Sequence, residues 1–132
     1  MSAFAPRWRT RTRWMLAVLF VGAGALHFVA PNVYLPLMPP YLPAPLTLVY
    51  LSGVAEIAGG IGLLLLSTRR WAGLGLIAML GVFLLVHVHT ALNPADYVDF
   101  APAWALWVRI PLQFAFMALI WWATQPRANA SR

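Results

Sequence analysis

The stretch LVYLSGVAEIAGGIGLLLLSTRRWAGLGLIAMLGVFLLV, residues 48–86, decides the fold, because it places two long apolar runs on either side of paired arginines. A helix needs about 20 residues to cross the hydrocarbon core of a bilayer, and both runs, 46–66 and 71–92, are long enough. Two further apolar runs cover residues 14–30 and 103–124. The sequence therefore predicts an all-α fold, a transmembrane bundle of four helices.

The composition indicates a chain suited to lipid rather than to water. Of its 132 residues, 62% are hydrophobic and 9% are charged, whereas soluble domains carry about 25% charged residues. We expect one domain, with a basic N-terminal segment (1–13), a transmembrane domain (14–124) and a tail (125–132). The first apolar run follows arginines, as in a signal peptide, but it is long and no clean cleavage site precedes Pro31, so we interpret it as a helix.

The arginines indicate how the helices are oriented. Apart from Arg109, these cations precede the first run, separate the second run from the third at Arg69 and Arg70, or follow the fourth. The other two connectors, 31–45 and 93–102, contain no cation. Because positively charged connectors stay in the cytoplasm, both termini are predicted to be cytoplasmic, in a bacterial inner membrane. The net charge of +6 then reflects topology, so the predicted partner is the lipid bilayer and not nucleic acid.

The absence of cysteine narrows the chemistry that the chain can perform by itself. With no thiol, disulfides, thiolate catalysis and thiolate metal sites are excluded. The sequence predicts no metal site. It assigns no reaction either, so it does not decide whether the chain is an enzyme.

The connector PNVYLPLMPPYLPAP, residues 31–45, is rich in proline and carries no charge. Proline blocks a regular helix, and the apolar side chains favour a segment that folds back onto the bilayer interface or the mouth of the bundle. Two interpretations stay open, a lid over the bundle and a plain interfacial loop.

Ionisable side chains inside apolar runs are costly and commonly functional. Glu56 lies about 15 Å into the second run, near the midplane, with Ser52 one turn before it on the same face. Arg109 lies about two turns into the fourth run, and Gln113 follows it on the same face. Since a buried charge needs a counter-charge, Glu56 is the best predicted partner for Arg109.

Histidines lie near corresponding ends of two runs: His27 lies about one turn before the end of the first, and His87 and His89 lie near the end of the third. Residues two apart on a helix point about 200° apart, so only one of His87 and His89 can face the bundle centre. Because successive helices alternate in direction, polar groups of all four runs reach a similar depth. We therefore predict one outward-facing polar pocket with the candidate residues His27, Ser52, Glu56, His87, Arg109 and Gln113.

Each of these residues also has a structural interpretation. Glu56 and Arg109 could fix the register of two helices as an ion pair. His27 could cap or bridge helices. For His87 and His89 a structural or interfacial role is favoured.

Several segments resemble one known family. They are GALHFVAPNVYLPLMPPYLPAP (24–45), LVYLSGVAEIAGGIGLLL (48–65), STRRWAGLGLIAML (67–80) and WVRIPLQ (107–113). These segments are similar to those of the DoxX-like membrane proteins, and the likeness covers nearly the whole chain, from about Gly22 to about Trp122.

The resemblance implies a four-helix bundle in the bacterial cytoplasmic membrane and a loose association with membrane redox chemistry. One branch of that family resembles the small subunit of a thiosulfate:quinone oxidoreductase. The resemblance also implies that His27, Glu56, Arg109 and Gln113 form the family's polar set. Relatives often show a proline-alanine-asparagine step near the end of the third helix, where this chain has LVH at 85–87; the histidine of this step is then a local specialisation.

Three functions are consistent with the sequence. The first is a membrane component of a redox or quinone-linked system, in which His27, Arg109 and Gln113 donate hydrogen bonds to quinone carbonyls and a redox partner protein or bound cofactor moves electrons. The second is a haem site that uses His27 with His87 or His89. The third is non-enzymatic: a scaffold, an assembly factor or a small permease, in which the polar residues only lock the bundle.

Overall fold

The computed structural model describes residues 7–126, and within that range the chain is helical with no strand. The helices are, in chain order, α1 (Arg7–Val29), α2 (Pro31–Tyr34), α3 (Pro45–Leu64), α4 (Arg69–Leu92) and α5 (Ala103–Thr124). All except the short α2 are long and apolar enough to cross a membrane. The predicted all-α architecture with four helices of membrane-spanning length is therefore confirmed.

The connectors contain short helices of their own, and the first long helix begins earlier than predicted. Short 3-10 helices cover Leu35–Leu37 and Pro94–Tyr97 in the two longer connectors. Helix α1 begins at Arg7, inside the segment that the sequence places before the bundle. Residues 1–6 of that segment, and Arg127 and Arg132 of the tail, lie outside the described residues.

Helix α1 begins early because its first turns contact the end of α5. Arg9 donates hydrogen bonds to the carbonyls of Trp122 and Gln125, and Arg13 donates to the carbonyl of Ala123 at 3.0 Å. The last carbonyls of a helix lack intrahelical partners and attract cations. Two arginines four residues apart share one face of α1, so the helix continues outward to bring both to the end of α5.

The end of α3 is capped in a similar way by residues that begin α4. The Arg69 Nε donates to the Leu63 carbonyl at 3.1 Å, and the Thr68 hydroxyl donates to the Gly62 carbonyl at 3.0 Å. We call this end of the bundle, where α1 and α4 begin and α3 and α5 end, the arginine end. The opposite end, which carries the connectors 30–44 and 93–102, is the connector end.

The four long helices form a ring in chain order. Helix α1 packs most extensively against α3, α4 packs against α5, and α3 packs against α4, while a smaller α1–α5 contact closes the ring. Helices α3 and α5 therefore lie diagonally across the bundle. One apolar core lies toward the arginine end and includes Leu16, Leu63, Leu76 and Ile120. A second lies at the connector end, around Leu37, Ala91, Tyr97 and Leu106.

Glycines bring α1 and α3 into backbone contact. A Cβ atom added to Gly24 would lie 2.7 Å from the Gly53 carbonyl oxygen, and one added to Gly53 would lie 2.8 Å from the His27 Cβ. Gly59 and Gly62 of α3 pack against α4 instead. The α1–α3 interface thus allows helix axes to approach at the level where His27 and the polar residues of α3 meet.

Gly24→Ala should destabilise the bundle, because the added methyl group overlaps the Gly53 carbonyl and overpacking costs about 1–3 kcal/mol. Gly22→Ala on the same helix is the matched control, since a Cβ there meets nothing within 4 Å and alanine raises helix propensity. Thermal unfolding followed by circular dichroism in detergent should give a lower Tm for Gly24→Ala alone. Equal Tm values for both variants would contradict the close α1–α3 approach.

Candidate functional site

A cavity of about 340 Å³ lies between the two apolar cores, near the connector end. All six candidate residues from the sequence line it: His27, Ser52, Glu56, His87, Arg109 and Gln113. A groove of about 490 Å³ on the surface of α3 and α4 is larger, but no ionisable residue lines it. The structure thus brings the predicted polar set together, and the binding of a ligand there stays a prediction.

His27 and Glu56 form the centre of the wall made by α1 and α3. Both are buried, with 5% of each residue exposed. The His27 Nδ1 lies 2.7 Å from the Ala23 carbonyl oxygen and 3.3 Å from the Glu56 Oε2. Because a carbonyl only accepts, Nδ1 carries a proton, and that proton points at Ala23 more closely than at Glu56. The carboxylate therefore has an electrostatic contact with the histidine, and its Oε2 keeps an unfilled hydrogen-bonding capacity.

Ser52 lines the cavity one turn before Glu56, but its hydroxyl is already used. It donates to the Leu48 carbonyl at 2.5 Å, with the Val49 carbonyl at 3.2 Å. Such backbone bonding is common for serine within helices. Ser52 therefore shapes the wall as a small side chain, and a ligand must displace an existing hydrogen bond to receive its proton.

Tyr34 attaches the proline-rich connector to this wall. Its ring stacks on the His27 imidazole with centroids 3.8 Å apart and planes 16° apart, and its hydroxyl reaches toward the Ala23 carbonyl at 3.5 Å. Val33, Leu37 and Met38 of the same connector also line the cavity. The connector thus forms part of the cavity wall, which is the geometry expected of a lid.

The wall made by α4 and α5 contains Gln113, His87 and Arg109. The Gln113 Nε2 donates to the Leu80 carbonyl at 2.9 Å and so joins the two helices. The Arg109 guanidinium lies over the Phe100 ring, 5.4 Å from its centroid. The Arg109 Nη1 and the His87 Nδ1 are buried and have no hydrogen-bond partner among the described residues. This wall therefore contains unsatisfied polar atoms on side chains that line the cavity.

The predicted ion pair between Glu56 and Arg109 is not formed in the described part of the chain, where Glu56 contacts His27 instead. The reason is the order of the ring: α3 and α5 are diagonal, whereas α1 and α3 are the closest neighbours. The negative and the positive side chain thus lie on opposite walls of the same cavity.

The structure also separates the two histidines of α4. His87 lines the cavity, whereas His89 makes edge contacts with Tyr41 and Tyr97, at centroid distances of 5.5 Å and 6.0 Å. This agrees with the 200° between residues two apart. A haem ligand pair of His27 and His89 is therefore not supported, because they do not share the cavity. Within residues 7–126, no group of three or more metal-binding side chains occurs.

Sequence reasoning missed Tyr34 and Phe100, which contact His27 and Arg109 directly. Both lie in connectors, where no helical period assigns a face to a side chain. The sequence feature that could have predicted them is an aromatic residue a few positions from a span that carries an ionisable group.

This geometry defines a class of protein: a bundle of four membrane-length helices with a polar cavity between two helix pairs. Residues 4–127 match the model of a family described as a domain of unknown function, DUF8561, and the chain belongs to that family. No curated protein and no solved structure matches the chain significantly. The likeness to the DoxX-like proteins stays a prediction.

The pKa of the Tyr34 phenol reports whether Glu56 lies close to it in the cavity. Burial raises the pKa of its phenol above the ordinary value, and the Glu56 carboxylate raises this pKa further, because a nearby negative charge opposes phenolate formation. Glu56→Gln should therefore lower the Tyr34 pKa toward its ordinary value. Ultraviolet absorbance of phenolate, compared with and without Tyr34→Phe, would measure this. Asp99→Asn, which removes an exposed carboxylate at the same end, should leave it unchanged; equal shifts would refute the proximity of Glu56.

Proposed function

We propose that this chain is a multi-pass membrane protein whose cavity binds a small, mostly apolar molecule with hydrogen-bond-accepting oxygens. A quinone is the class of molecule that fits best, and the protein would then be a membrane component of a redox or quinone-linked system. The observation that carries this proposal is Arg109, which lines the cavity and whose buried Nη1 has no acceptor among the described residues.

The energetics of burial support a ligand at this wall. A buried donor without an acceptor costs about 1–3 kcal/mol, and more when it is charged. A carbonyl oxygen beside Arg109 would remove that cost, and the apolar side chains of Leu80, Phe83 and Val86, which line the same cavity, would contact a ring. Cavities with mostly apolar walls and a few convergent polar groups are typical ligand sites.

The two walls would hold a ligand differently. On the α4–α5 wall, Arg109 donates to an oxygen. On the α1–α3 wall, the His27 Nδ1 already lies 2.7 Å from the Ala23 carbonyl oxygen, so Nε2 is the ring nitrogen left for a ligand. A molecule with oxygens at both ends of a ring can reach both walls, with one oxygen beside Arg109 and the other beside His27.

The resemblance to the DoxX-like proteins supports the redox part of this proposal, and it extends the partners to a redox protein. The second candidate function is a non-enzymatic scaffold, assembly factor or small permease. The buried His27–Glu56 contact favours this alternative, since a paired polar group between two helices fixes their register without any ligand.

Quinone titration distinguishes the two functions. Purified protein in quinone-free nanodiscs should bind a short-chain quinone analogue in isothermal titration calorimetry, and Arg109→Gln should weaken binding about ten- to hundredfold, because a hydrogen bond from a charged donor is lost. Arg11→Gln removes the same charge from an exposed position away from the cavity and should bind like the unchanged protein. If the unchanged protein shows no saturable binding, or if both variants bind equally, the quinone site is wrong and the scaffold is favoured.

We also propose that the arginine end is cytoplasmic, in a bacterial inner membrane, because its connectors carry the cations. The chain has no cysteine, so single cysteines report without background. In intact cells, an impermeant maleimide should label Asp99→Cys at the connector end, and it should label Ser67→Cys at the arginine end only after the membrane is permeabilised. The reverse labelling pattern would show the opposite orientation.

A further inference from the structure

The polar cavity reaches the surface of the protein at two apolar residues. Among the side chains that line it, Val33 and Phe100 are exposed, with 55% and 45% of each residue accessible, whereas the other lining residues are buried or half-buried. Val33 lies in α2, which directly follows α1, and Phe100 lies just before α5 begins. The opening of the cavity is therefore at the connector end, beside α1 and α5.

Helices α1 and α5 are joined mainly at the arginine end. There, Arg9 and Arg13 of α1 donate hydrogen bonds to backbone carbonyls within residues 122–125, and the Trp8 and Trp122 rings meet with their centroids 4.6 Å apart. Nearer the connector end, residues of both helices line the cavity. The two helices are thus held together at one end and separated by the cavity at the other.

Contacts close the remaining sides of the cavity. Helices α1 and α3 touch at Gly24 and Gly53, and the Gln113 side chain joins α5 to α4. Leu37 of the proline-rich connector is buried, lines the cavity and belongs to the same apolar core as Ala91 of α4. The side between α1 and α5 is therefore where the cavity reaches the surface, in agreement with its two exposed lining residues.

The apolar character of these two residues indicates that the opening faces lipid. A hydrophobic rim opposes the entry of water and ions. Trp104, at the start of α5, is 69% exposed, and exposed tryptophans at the ends of membrane helices lie at the level of the lipid headgroups. The Phe100 ring lies against Arg109, more than one turn further into α5. The opening is therefore on the acyl-chain side of the headgroup level.

We propose that the cavity opens sideways to lipid between Val33 and Phe100, and that its ligand carries an apolar tail, an acyl or isoprenoid chain, which leaves the cavity there. This inference rests on the proposed function, because it takes the cavity to hold a ligand. The polar head of the ligand lies beside Arg109 and His27, and the tail passes between the two apolar residues into the surrounding acyl chains. A closed cavity of about 340 Å³ could not contain both parts.

Chemical modification of Glu56 tests the opening without any quinone. Dicyclohexylcarbodiimide is an apolar reagent that partitions into the bilayer and attacks protonated carboxyl groups. It should modify Glu56 in nanodiscs at about pH 5, where carboxyl groups are partly protonated, and peptide mass spectrometry would measure the rate. Val33→Trp should slow this modification about tenfold, because a larger side chain overpacks the rim; Val33 is exposed, so the variant should fold.

Val98→Trp is the matched control for this modification. Val98 is exposed at the same end of the bundle and does not line the cavity, so its substitution should leave the rate unchanged. If Glu56 is not modified in the unchanged protein, or if both variants are modified at the same rate, the opening to lipid is wrong.

Two quinones with the same headgroup test the tail. With concentrations expressed per lipid, a short-chain analogue and a long-chain isoprenoid quinone should bind the unchanged protein within about threefold of each other, because the tail exchanges one apolar surrounding for another. Val33→Trp should weaken binding of the long-chain quinone about tenfold more than that of the short-chain analogue. Val98→Trp should bind both quinones like the unchanged protein.

The outcomes separate this inference from the proposed function. Binding of the short-chain analogue alone, or equal effects of the two tryptophan variants on the long-chain quinone, would overturn the tail and leave the quinone site intact. Binding of neither quinone would refute the proposed function, and the rates of Glu56 modification would still decide whether the cavity opens to lipid.

Discussion

The close approach of α1 and α3 at Gly24 and Gly53 is the constraint on which the cavity depends. Two helices can touch along their backbones only where no Cβ intervenes, and a Cβ on Gly24 would lie 2.7 Å from the Gly53 carbonyl oxygen. That contact places His27 against Glu56 at 3.3 Å. Tyr34 then stacks on the histidine, and the connector becomes part of the cavity wall.

The two charged side chains of the cavity, Glu56 and Arg109, differ in their contacts. Glu56 lies 3.3 Å from the His27 Nδ1, whereas the Arg109 guanidinium lies over the Phe100 ring and its Nη1 has no acceptor among the described residues. Keeping them on diagonal helices prevents mutual neutralisation across the bundle. A cavity with this arrangement favours a hydrogen-bond-accepting oxygen beside α5, which is the physical basis of the proposed quinone site.

The two ends of the bundle are stabilised by different contacts. At the arginine end, guanidinium groups cap the final carbonyls of α3 and α5 and tie together segments distant in sequence. The connector end has no cation in its connectors and instead uses prolines and aromatic rings. The helix ends are thus joined at the arginine end, and the polar cavity lies toward the connector end.

The sequence by itself determined the number of long helices, their approximate bounds and the depth of each polar residue. Apolar run length and alternating direction fix these properties, which is why His27, Glu56, His87, Arg109 and Gln113 could be expected at one level. Only the tertiary structure decided which side chains meet. Pairing depends on the order of helices around the ring, which local periodicity does not encode, and so Glu56 meets His27 and not Arg109. The roles of Tyr34 and of the α1 arginines likewise arise from contacts with distant segments, where no sequence spacing could have assigned them.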